Sequence, residues 1–284
     1  MKTTFRYTFA WMRGQILGWG IGIAALGLIV VPFYQVFMVD QKEDFLQMIE
    51  SYPPEFLAFF GGDATVLMTP EGYLGMYAFS MLPVIIGIFA TIAGSGLLTN
   101  DEESGRLDLI LAHPVGRSQL FWGRFCAYAA ALAGINFVGW LGFSVLLGDS
   151  GLPFTWGEML LPFVPVFNQG LVYGALAVLL SMLLPSRGMA AMVTGIVMVA
   201  SYFLSSMSSL MEELAAIAQF LPYHYFQGGD ALQGLRMDWL LGLAGASLVM
   251  AGLGWLVFLR RDIRLGGEGS WHLPNWRRKK FVAG

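Results

Sequence analysis

Residues 82–89 read Leu-Pro-Val-Ile-Ile-Gly-Ile-Phe. A strand of a membrane barrel alternates apolar with polar side chains, and this stretch has no such period. The other structure that satisfies its backbone polar groups within lipid is a helix. Outward from it, no Asp, Glu, Lys or Arg interrupts residues 72–100, and the same holds over 14–39, 125–148, 159–186, 188–211 and 239–259. Each run reaches the roughly 20 residues a helix needs to cross a hydrocarbon core of about 30 Å. Composition points the same way: 56% of the 284 residues are hydrophobic and 12% charged, against about 25% charged in average soluble domains. So few charges could not cover a water-soluble globule. The expected fold is an all-α integral membrane protein, one transmembrane domain with six transmembrane helices.

Orientation follows from the basic residues, which loops on the cytoplasmic side retain. With the N-terminus inside, all of the 16 lysines and arginines except Lys42 and Arg236 fall on the cytoplasmic side. The first outer segment is acidic, with Asp40, Glu43, Asp44, Glu50, Glu55, Asp63 and Glu71. Both termini are therefore expected in the cytoplasm of a multi-pass protein of the inner or plasma membrane. The first apolar run is too long for a signal-peptide core and lacks a small-residue cleavage site before Pro32, so it is expected to stay as an anchor. In 1–13, Phe5, Phe9 and Met12 form a stripe that Lys2, Arg6 and Arg13 avoid. That pattern fits an interfacial helix, or equally a charged flank. Cys126 is the only cysteine, which excludes disulfide frameworks.

The polar loop 101–117 is the most structured of the connections. Asn100 or Asp101 can cap a helix, and Glu102 and Glu103 suit the positive end of its dipole. Leu107, Ile110 and Leu111 then share one face, His113-Pro114 stops the helix, and Ser118 is placed to cap the third span. The pattern predicts a short amphipathic coupling helix held under the membrane, presenting acids beside a leucine face. On the outer side, 212–220 is apolar but too short to span, and Pro222 and Gly228-Gly229 break it. A short re-entrant or interfacial segment between helices five and six is expected there. The tail 260–284 combines Trp271 and Trp276 with arginines and lysines, a composition suited to anionic lipid.

The loop DEESGRLDLILAHPVGR over 101–117 resembles the cytoplasmic signature of type-2 ABC-transporter permeases. The segment FLPYHYF at 220–226 is similar to the family's Leu-Ser-Pro-Phe-Tyr-Tyr segment, and the exit WLVFLRRDI at 255–263 matches its usual last span. With six spans, the resemblance runs along the whole chain. It implies that the loop is the coupling helix that seats in a groove of a separate ABC ATPase subunit. Carried onto this sequence, the docking residues are Glu102, Glu103, Gly105, Arg106, Leu107, Leu111, Pro114 and Arg117. Ser118-Gln119 departs from the basic or leucine positions common there and touches only the edge of that surface.

Several chemistries lack their residues. No lysine stands in a GxxxxGK[ST] loop, so ATP is expected in the partner subunit and no cofactor in this chain, which is not expected to be an enzyme. His113, His224 and His272 have no second ligand at metal spacing. Gly94-Ser95-Gly96 has no intramembrane His or Lys as a base for a serine protease. Small residues there, and at Gly14, Gly18, Gly22, Gly170 and Gly174, are expected to allow close helix packing. Ion-coupled carriers carry intramembrane charges, and the six runs hold none. Their polar candidates are Asn136, Asn168 and Gln169, which either bond between helices or line a translocation path. The expected function is the permease subunit of an ATP-driven exporter, paired with a second permease subunit as homo- or heterodimer, in contact with membrane lipids and with no nucleic acid. A path of apolar and aromatic residues suits hydrophobic drugs, lipids or peptides alike. The alternative is a secondary carrier or channel without an ATPase, or a membrane scaffold.

Overall fold

The computed structural model describes residues 1–40, 43–44, 47–48, 51–53, 69–105, 116–208 and 211–260. Arg106, Leu107, Leu111 and Pro114 of the coupling loop, His113, and tail residues 261–284 lie outside them. Among the described residues there are helices and no strands. Six helices are long and apolar enough to cross a membrane: Arg13–Met38, Pro70–Gly96, Arg117–Asp149, Trp156–Leu183, Arg187–Met207 and Met237–Arg260, called here the first to sixth spans. The second and fourth are mostly buried by the rest of the chain, whereas the first, fifth and sixth expose most of their surface.

Close backbone approach decides which spans meet. A Cβ on Gly94 of the second span would lie 2.6 Å from the Gly174 carbonyl of the fourth, and one on Gly174 would collide with the Tyr128 hydroxyl of the third. That hydroxyl donates to Gly170 O at 2.6 Å, so one bare surface on the fourth span receives two neighbours. The first and third spans meet in the same manner, with Gly20 against Val138 and Gly139 against Ile23. Gly14, Gly18 and Gly22 do not share this role within the described chain, since among the described residues a Cβ on any of them would meet nothing within 4 Å. The packing glycines of this helix lie on another face.

The first and second spans each carry a π-turn near a proline. The second contains a π-turn, Gly75–Phe79, closed by Ser80 N donating to Gly75 O at 2.8 Å. The regular helix restarts at Leu82–Gly96 with Pro83 in its first turn, where the missing N–H costs no bond. The first carries Pro32 and ends in a π-turn, Gln35–Asp40. The third span's helix, Arg117–Ser144, starts ahead of the charge-free run. Its cap is Gly116, so Ser118 sits inside the helix instead of capping it, and its hydroxyl accepts from Trp255 Nε1 at 3.1 Å.

At one end of the bundle the N-terminal helix Lys2–Trp11 packs on the third span, with Met12 buried and Phe5 stacked on Phe9. This end is the N-terminal face. At the opposite face the segment before the last span forms a helix, Glu212–Ala218, then 3-10 turns at Pro222–Tyr225 and Gly228–Leu232. Tyr223 fastens them: its N–H donates to Ser201 Oγ at 2.9 Å and its hydroxyl to Ser80 O at 3.1 Å. Gly229 sits so close to Glu71 O and Gly75 that no side chain would fit.

Candidate functional site

The second span ends at Gly96, the chain breaks helical continuity over Leu97 and Leu98, and a short helix, Thr99–Glu103, follows. Asn100 and Asp101 lie inside this helix instead of capping it, and arginines from two other spans bond their side chains. Arg124, two turns into the third span and 5% exposed, pairs with Asp101. Its Nη1 also donates to Leu97 O at 2.7 Å, satisfying a carbonyl freed where the second span stops. A buried guanidinium persists only when paired and hydrogen-bonded, and these contacts supply both.

Arg187 opens the fifth span. Its guanidinium donates to Asn100 Oδ1, and its backbone N–H donates to Glu103 Oε1 at 3.2 Å. An acid at a helix N-terminus faces the positive end of the dipole and takes up an N–H with no intrahelical partner. Gly96 makes room for this arrangement, since a Cβ there would lie 3.2 Å from Arg187 Nε and Cζ. Gly105, at φ +66, turns the chain just after the helix. A glycine adopts that conformation at no cost, and the amphipathic helix expected to carry Leu107, Ile110 and Leu111 lies outside the described residues.

On the far side of the loop, Arg117 Nη1 donates to Phe258 O and Leu259 O, each at 3.4 Å, at the C-terminal end of the sixth span. The last carbonyls of a helix are unsatisfied and carry the negative end of its dipole, so a cation belongs there. The two stems of the loop are thus fastened to the third, fifth and sixth spans. Of the residues expected to dock, Glu103 and Gly105 are exposed on the N-terminal face, Glu102 is buried, and Arg117 turns to the sixth span.

The family described as ABC-2 family transporter protein matches residues 15–263. The chain belongs to that family. No curated protein matches it. It is a multi-pass ABC-transporter permease, a membrane subunit of a kind that typically works with an ABC ATPase.

Within the permease the three candidate path residues Asn136, Asn168 and Gln169 are all buried. Asn168 Nδ2 donates to Leu240 O of the sixth span at 3.0 Å, and Gln169 Nε2 donates to Pro222 O at 2.7 Å. Asn136 Nδ2 bonds one turn back to Leu132 O at 2.8 Å. Sequence reasoning missed Arg124 and Arg187, which it used only to orient the chain. The signal was present for Arg124, a lone charge among Leu120, Phe121, Trp122 and Phe125, which needs a carboxylate if it is buried.

Proposed function

We propose that this permease is the transmembrane half of an ATP-driven exporter, in which the loop after the second span receives the closing motion of a separate ATPase. Two permease subunits, identical or not, would form the translocation path, with ATP bound in the partner and both termini in the cytoplasm. The observation that carries this reading is the fastening of both loop stems: Asp101 to Arg124, Asn100 and Glu103 to Arg187, and Arg117 to the end of the sixth span. A push on a free loop would be absorbed by the loop. A push on this one reaches three spans besides the second, which is what switching between inward and outward access requires.

The test replaces Leu107 and Leu111 together with Asp. Charge buried without a partner at a docking contact costs several kcal/mol. The doubly substituted protein should insert as before, while co-purification of the ATPase falls by tenfold or more and substrate-stimulated ATP hydrolysis drops with it. Glu103→Lys should act in the same direction more weakly, through a contact that salt screens. Transport that continues unchanged in the double variant, without ATP, refutes the exporter and favours a secondary carrier.

A further inference from the structure

On the N-terminal face a cleft of about 470 Å³ opens between the N-terminal helix, the first span and the second span. Its two ends differ in chemistry. One is apolar and aromatic, with Tyr7, Trp11 and Ile92 exposed by 71%, 63% and 47%. The other is polar, with Gln15, Asn100, Asp101, Glu103, Arg124 and Arg187.

The polar end is built but incomplete. The Arg124 side chain is 7% exposed, and its Nε has no hydrogen-bond partner among the described residues. Gln15 Oε1 is likewise buried and unpartnered. Among the described residues the Arg187 guanidinium bonds Asn100 and forms no ion pair. The nearby acids are committed elsewhere, Asp101 to Arg124 and Glu103 to the Arg187 backbone. A half-buried guanidinium whose side-chain partner is the neutral Asn100, beside apolar walls, suits a phosphate. The apolar end runs on sideways from Ile92 to Ile88, one turn away and also exposed on the second span. A free anion needs no such wall; an acyl chain does.

We infer that this cleft binds an anionic phospholipid of the surrounding membrane, its phosphate on Arg187 and the Arg124 edge, a headgroup hydroxyl donating to Gln15 Oε1, and its chain along Ile92 and Ile88. The site depends on no ATPase and stands whether or not the exporter reading does. It would make the seating of the N-terminal helix, and hence of the Asn100–Arg187 junction, sensitive to lipid.

The test titrates the full-length, delipidated protein in phosphatidylcholine nanodiscs with phosphatidylglycerol, reading bound lipid by native mass spectrometry and the unfolding midpoint in parallel. Phosphatidylglycerol should bind and raise the midpoint. Arg187→Gln should weaken binding about tenfold, the loss expected for one charge-assisted pair, and Arg187→Lys should restore part of it. Gln15→Leu should weaken binding without lowering the midpoint of the lipid-free protein, which keeps the test meaningful if the arginine variant folds poorly. Glycerol 3-phosphate matching the lipid's effect would make this a free-anion site and overturn the lipid assignment. Equal binding of phosphatidylglycerol by wild type, Arg187→Gln and Gln15→Leu overturns the site itself.

Discussion

The Arg124–Asp101 pair is where a single side chain matters most. Removing one partner of a buried ion pair costs about 3–5 kcal/mol, since the other charge stays behind uncompensated, whereas replacing both with apolar groups can be nearly neutral. Asp101 is partly open to water, with 20% of its side chain exposed, so the low end applies. Asp101→Ala is expected to lower stability by about 3 kcal/mol, measured as the unfolding midpoint in detergent. Asp101→Leu with Arg124→Met should recover most of that. A double variant as unstable as the single one would mean that the pair matters through some other contact, such as the Arg124 bond to Leu97 O.

Helix by helix, the same residue type does different work at the same spacing. Gly170 and Gly174 are four apart and receive Leu132 and Tyr128 against the bare fourth span; Gly14, Gly18 and Gly22 are also four apart, and among the described residues a Cβ on them would meet nothing within 4 Å. Gly174→Ala forces a methyl into the Tyr128 hydroxyl and should destabilise the protein by about 1–3 kcal/mol, the usual range for overpacking. Gly18→Ala has open space and should leave the unfolding midpoint of the monomeric, detergent-solubilised chain within error. Equal losses at both positions would show that Gly18 is covered in solution by something outside the chain.

At the scale of the molecule, sidedness is open to labelling. In a Cys126→Ala background, a cysteine at Ser104 on the N-terminal face should be silent to an impermeant thiol reagent applied outside cells, and one at Gln233 on the opposite face should react; both positions are exposed. Reversed labelling would turn the loop away from the cytoplasm and end its role as an ATPase contact. The six spans were legible in the sequence because crossing a bilayer is a local property of about 20 consecutive residues, and the runs around Ile86 or Gly195 carry it without any partner. The family was legible in the motif at 101–117, a contiguous string. Neighbours were not. Lipid is as apolar as leucine, so spans are not driven together by hydrophobicity, and their pairing rests on shape and hydrogen bonds between residues distant in the chain. Nothing in the sequence distinguishes Gly174 from Gly18, nor marks that Arg124 and Arg187 converge on the end of the second span. Only the tertiary structure decides these, because the Tyr128 hydroxyl, Asp101 and Asn100 become their partners solely by the way six helices of similar composition pack.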